Sequence, residues 1–156
     1  MFVIAGATGN TGSVVARILL AHKQPVRVLV RSEAKAAVLR ALGAEVAIGD
    51  VDNAESLASA LQGATGFYFL LPGDFGSSDP FGRATRIIDG VVTAANNAGV
   101  KQVTLLSSIG AELPEGNGIV KSLNIAEQKL TGQKFGLTAI RAAYFMENWA
   151  TSLGPA

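Results

Sequence analysis

Cysteine is absent from this 156-residue chain, and histidine occurs once, at His22. Disulfide bridges are therefore excluded, and no zinc or iron–sulfur metal site is expected, since there is no thiolate and only one imidazole. Charge is sparse too: 16% of residues are charged, the net is +1, and Lys and Arg are scattered rather than clustered. A nucleic-acid surface needs a basic stripe to neutralise phosphates, so no nucleic-acid partner is expected. No apolar run reaches the roughly 18 residues of a membrane span, and no basic segment precedes an apolar core at the N-terminus. Neither a membrane nor a signal peptide is therefore expected, and the default is a soluble cytoplasmic domain.

Apolar residues and glycine are what the chain has in quantity. Apolar types make up 49% and glycine occurs 18 times, which at this length implies one domain, residues 1–156, with a sizeable core rather than a disordered chain.

Strand-like and helix-like segments alternate. Phe2–Ala5 is a short apolar run, and from Ser13 the pattern turns helical, with Val14, Val15, Ile18 and Leu19 on one face. "VRVLV" (Val26–Val30), "AEVAIG" (Ala44–Gly49), "GFYFLLP" (Gly66–Pro72), "KQVTLLSS" (Lys101–Ser108) and "LTAIRAAYF" (Leu137–Phe145) read as further strands. Helices are expected between them: Ser32 to about Leu42, a segment before Gly63, about Phe81 to Asn97, and around Lys121–Leu130. Strict alternation implies right-handed crossovers. The expected fold is α/β, a doubly wound parallel sheet of Rossmann type with about six parallel strands and helices on both faces.

The stretch "FVIAGATGNTG" sets Gly6, Gly9 and Gly12 between the first strand and the first helix. A tight turn at Gly6 favours a residue free to adopt positive φ. Gly9 lets the backbone approach a diphosphate, and Gly12 lets the helix pack closely. The helix N-terminus then directs unpaired N–H groups at an anion. Thr8, Asn10 and Thr11 add polar contacts. The spacing, G-x-x-G-x-x-G, differs from the G-x-G-x-x-G of dehydrogenases, so its place between a strand and a helix, rather than the triplet itself, points to a dinucleotide.

The end of the second strand meets the adenosine ribose in such folds. An NAD-preferring site puts a carboxylate there; this chain has Arg31, which pairs with a 2′-phosphate instead. NADP(H) is therefore expected over NAD(H), with Ser32 and Lys35 as further polar groups and Glu33 as the dissenting carboxylate. Asp50 and Val51 are expected to frame the adenine, and Leu70, Leu71 and Pro72 the middle of the cofactor. The plainer reading of these last residues is ordinary loop and core.

"GATGNTG", "VRVLVRS", "GDVDNAESL" and "LLSSIGAE", followed by "NIAEQKL" and "IRAAYFMENW", together resemble the NmrA-like branch of the atypical short-chain dehydrogenase/reductases. The likeness covers nearly the whole chain. It implies NADP(H) binding through Gly6, Thr8, Gly9, Asn10, Thr11, Gly12, Arg31, Asp50, Val51, Leu71 and Pro72, with Ser107 and Ser108 at the end of the fifth strand. In the wider superfamily a serine there assists a Tyr-x-x-x-Lys pair that binds a carbonyl oxygen. This chain departs from that pattern: Tyr68 and Tyr144 are followed four residues later by Pro72 and Asn148, and Lys121 is preceded four residues earlier by Asn117. Ser107 and Lys121 remain the catalytic candidates, although a lone helical lysine is ordinarily solvated.

The resemblance implies an NADPH-binding oxidoreductase that passes hydride to a small-molecule acceptor such as a quinone, which needs little acid catalysis. Phe75, Tyr144 and Phe145, with Trp149 nearby, are the candidate flat contacts for that acceptor; their plainer reading is packing. The alternative is a non-catalytic NADP(H) sensor acting through a regulatory protein partner. An epimerase would need the absent Tyr–Lys pair. Relatives of this kind continue into a smaller substrate-binding region, so the resemblance implies that this region is absent or truncated here. Apolar surface near residues 145–153 is then expected to favour a homo-oligomer.

Overall fold

The computed structural model describes residues 1–73, 76 and 78–149. Strands β1 (Phe2–Ala5), β2 (Val26–Val30), β3 (Glu45–Ile48), β4 (Gly66–Phe69), β5 (Gln102–Ser108) and β6 (Gly136–Ala142) alternate with helices α1 (Asn10–Ala21), α2 (Glu33–Ala41), α3 (Ala54–Ala60), α4 (Pro80–Ala98) and α5 (Lys121–Leu130). A 3-10 turn, Gly118–Val120, leads into α5. All pairings are parallel, in the order β3-β2-β1-β4-β5-β6. This is the doubly wound Rossmann arrangement expected from the alternation.

Period-two alternation sorts the strand residues between two cores. Ile4, Val26, Val28 and Val30 pack with Ala16 of α1 and with Ala36 and Leu39 of α2. Val3, Ala5, Phe67, Phe69, Val103 and Leu105 pack on the opposite side against α3, α4 and α5. Helix boundaries follow local chemistry. Asn53 caps α3 by accepting from the Ser56 N–H at 2.8 Å, and Asp79 caps α4 by accepting from the Gly82 N–H at 2.9 Å, with Pro80 in the first turn. Gly99, at φ 68°, ends α4 in the left-handed conformation.

Three boundaries differ from the sequence pattern. Helix α1 begins at Asn10 rather than Ser13, because extended Gly9 serves as its N-cap and Asn10, Thr11 and Gly12 form its first turn. Strand β4 ends at Phe69, since its neighbour β1 stops at Ala5; Leu70 to Pro72 therefore leave the ladder and become loop. Strand β6 closes at Ala142, opposite the last residue of β5, so Tyr144 and Phe145 lie beyond the sheet.

Candidate functional site

The chain reverses direction across the sheet between β1 and β4, leaving one toward β2 and the other toward β5. The loops at their carboxyl ends diverge there and leave a crevice. A cavity of about 210 Å³ fills it, lined by Ala5, Gly6, Thr8, Leu29, Val30, Arg31, Gly49, Asp50, Val51, Leu70, Pro72 and Arg83.

The glycine turn forms one wall. Gly6 has φ 68°, the left-handed region that side chains resist, and its carbonyl accepts from the Gly9 N–H at 2.9 Å. Gly12 stacks on this turn: a Cβ there would lie 2.3 Å from the Gly6 oxygen. Helix α1 therefore seats its first turn directly on the strand end. No side chain caps α1, and no acidic residue occupies its first turn, so its leading N–H groups and positive dipole end are left for an anion. Thr11 is held from behind, its hydroxyl accepting from buried Tyr68 at 3.2 Å. Gly9 and Asn10 are exposed beside the turn.

On the opposite wall the Arg31 side chain is 79% exposed, with Nε 4.0 Å from an Asp50 carboxylate oxygen. So open a pair holds the guanidinium only weakly. Glu33, the carboxylate that the sequence sets against an NADP site, is instead paired with Arg40. Arg83, from the first turns of α4, pairs with Asp52 and brings a second guanidinium to the cavity.

A second, wider cavity of about 470 Å³ lies at the ends of β4, β5 and β6. Leu70, Leu71, Leu106, Ser107, Ser108, Ile109, Leu123, Tyr144 and Phe145 are among its lining residues. Leu71 thus faces this slot rather than the first cavity. Tyr144 is 63% exposed and meets Trp149 edge-on at 5.8 Å between ring centroids. Lys121 is exposed, its ammonium 5.8 Å from the Phe81 ring centroid, and it lines neither cavity. Phe75 lies outside the described residues.

Ser107 has a definite partner. Parallel register sets it beside Arg141 on the face that α5 covers, and its hydroxyl donates to Glu127 Oε1 at 2.6 Å. Arg141 grips the same carboxylate through both oxygens, at 3.0 and 2.6 Å. The Arg141 hydrogen bonds hold the Glu127 carboxyl below its usual range, against desolvation and with help from Ser107. Arg141 is correspondingly raised, chiefly by its hydrogen bond to Glu127.

These residues fit a dinucleotide: an amide-lined turn that a Cβ would fill, two guanidinium groups nearby, and an apolar slot adjoining. Of the residues the sequence singles out, Gly6 and Arg31 line the first cavity and Ser107 the second. Arg83, Glu127 and Arg141, which join them here, carry no signal in the sequence, because no local spacing connects a helix N-terminus, a helix face and an edge strand. Among the described residues no cluster of potential metal ligands occurs, and no helix is long and apolar enough to cross a membrane.

Residues 6–152 match a family model described as NAD(P)H-binding. The chain is 30% identical over 148 residues to an NAD(P)H azoreductase of Xenophilus azovorans, a match covering 95% of this chain and 49% of that one. Over 168 residues it is 33% identical to the NmrA-like family domain-containing oxidoreductase malD of Malbranchea aurantiaca, covering 94% and 47%. The crystal structure of an NADPH-dependent quinone oxidoreductase from Escherichia coli, complexed with NADPH, superposes with a TM-score of 0.77 at 28% identity, covering 97% and 52%. The chain spans about half the length of these proteins.

Proposed function

The chain belongs to the NAD(P)H-binding family, with NmrA-like oxidoreductases among its relatives, and from that premise we propose that it binds NADPH in preference to NADH and reduces a flat, electron-poor acceptor of the quinone type. The observation that carries this reading is the seating of Gly12 on Gly6, which bares the α1 N-terminus at the switch point of the sheet. The coenzyme, when bound, supplies a hydride from its nicotinamide ring.

The chain's own part is binding, orientation and exclusion of water. The α1 amides and Arg83 hold the diphosphate, and Arg31 holds the 2′-phosphate, while Glu33 is kept from opposing it by Arg40. Leu70, Leu71, Leu106 and Ile109 present a greasy wall against which a planar acceptor lies. A quinone accepts hydride readily and the hydroquinone anion so formed takes one proton from water, so alignment supplies most of the rate. This suits a slot without the Tyr-x-x-x-Lys pair. Similar proteins named as an azoreductase and as a quinone oxidoreductase support this choice of acceptor.

A second reading is a sensor in which NADP(H) occupancy acts on a protein partner. It is favoured by Tyr68 being committed to Thr11 and by Lys121 lying off the slot, which leaves neither as an acid toward a substrate. Calorimetric titration with NADP+ and NAD+, then NADPH oxidation with naphthoquinones and an azo dye, separates the readings. Acceptor-dependent turnover with tighter NADP+ binding is expected. Tight NADP+ binding with every acceptor inert would favour the sensor.

A further inference from the structure

The Ser107 hydroxyl has one proton and two lone pairs. That proton is already committed, donated in a hydrogen bond to Glu127 Oε1 with the two oxygens 2.6 Å apart. Ser107 is only 4% exposed, so it has little room to turn away. Glu127 sits on the bidentate Arg141 guanidinium, which keeps it an anion, and an anionic carboxylate can only accept. The direction of the Ser107–Glu127 bond is therefore determined by charge. We infer that Ser107 offers a ligand in the slot only an acceptor, and so selects a group bearing N–H or O–H, with Glu127 as the positioning residue that imposes this polarity.

This reverses the part implied by the superfamily resemblance, in which the serine helps to bind a carbonyl oxygen. A bare quinone or ketone oxygen gains nothing from Ser107; an amide N–H or a phenolic O–H does. Two ligands could bring such a donor to the slot: the coenzyme through its ring amide, which rests on the reading above, or the second substrate through a hydroxyl.

The experiment uses two probe pairs, each differing in the donor. NADP+ is compared with its 3-acetylpyridine analogue, where a methyl ketone replaces the amide, and 2-naphthol with 2-methoxynaphthalene. Affinities are measured by calorimetry for the wild type, Ser107→Ala and Glu127→Gln, with thermal melts to confirm folding. The wild type is expected to prefer the donor member of at least one pair by roughly five- to tenfold, the size of one hydrogen bond. Ser107→Ala should erase that preference.

Glu127→Gln should diminish or invert it with Ser107 still in place. The new amide must turn its oxygen to Arg141 and its NH2 to Ser107, which frees the serine proton for the slot. A merely structural Glu127 would weaken both members of a pair alike. Loss of preference in the dinucleotide pair assigns the donor to the coenzyme, and in the naphthol pair to the second substrate; either supports the inference. If Ser107→Ala leaves both preferences unchanged, or weakens the methyl ketone and the ether most, the inference is overturned. Failure of the wild type to bind NADP+ would remove the coenzyme reading alone, and the naphthol pair would then decide the role of Ser107.

Discussion

Arg31 and Asp50 face each other at the mouth of the switch-point cavity, with Nε 4.0 Å from Oδ2. The cation expected to select a 2′-phosphate therefore stands beside a carboxylate that repels one. Arg31→Asp should reverse the preference between NADP+ and NAD+. Asp50→Asn should raise the NADP+/NAD+ affinity ratio by roughly fivefold, the size of an exposed ion interaction of about 1 kcal/mol. Calorimetry with both dinucleotides checks each, and an unchanged ratio in both variants would count against Arg31 as the selector.

Arg83 predicts a different signature. It lines the same cavity from α4, and a diphosphate is common to both coenzymes. Arg83→Ala should weaken NADP+ and NAD+ alike by about tenfold, as expected for one charge-assisted hydrogen bond. The ratio should stay constant. A selective loss of NADP+ would move Arg83 to the 2′-phosphate.

Two glycines give a matched contrast. At Gly12 a Cβ would sit 2.3 Å from the Gly6 oxygen and 2.7 Å from its carbonyl carbon, backbone atoms that cannot swing aside. Gly12→Ala should cost about 2 kcal/mol or more of stability and abolish dinucleotide binding. At Gly90, within α4, a Cβ would meet nothing within 4 Å. Gly90→Ala should stabilise by about 0.5–1 kcal/mol and leave binding intact. Urea melts of the two variants, run with NADP+ titrations, provide the check.

The Glu127–Arg141 pair sets a pH dependence. Glu127 is lowered in the fold, so its contribution is fully present above the ordinary glutamate range and is lost as pH falls through the depressed value. Glu127→Gln should cost about 1–2 kcal/mol near neutrality, a figure discounted because the Arg141 side chain is 43% exposed. The gap from wild type should hold from neutral pH down to the ordinary glutamate range, then narrow on further acidification. Denaturant melts across acidic pH test this; a gap that widens toward acid would refute the assignment.

The order of strands and helices was legible because it rests on short-range rules. Apolar runs broken by Gly6, Gly43, Gly63 and Gly99 mark each element, and alternation alone implies parallel crossovers. The glycine turn and Arg31 were legible for the same reason, since strand, turn and helix are contiguous. Boundaries were less so. The last residues of β4 have the apolar pattern of a strand, yet Leu70 and Leu71 leave the sheet because β1 has already ended beside them.

What the sequence determined by itself is this local grammar: a doubly wound sheet that opens on a glycine turn at the head of an uncapped helix. Tertiary structure alone decided which distant groups share a site. Arg83 reaches the cavity because α4 begins beside it, and Glu33 is withdrawn because Arg40 takes it. The Ser107 hydroxyl donates to Glu127 because parallel register set Arg141 next to it and α5 crossed above. Turn and helix propensities act over a few residues, whereas hydrogen-bond direction depends on charges that only folding brings within reach.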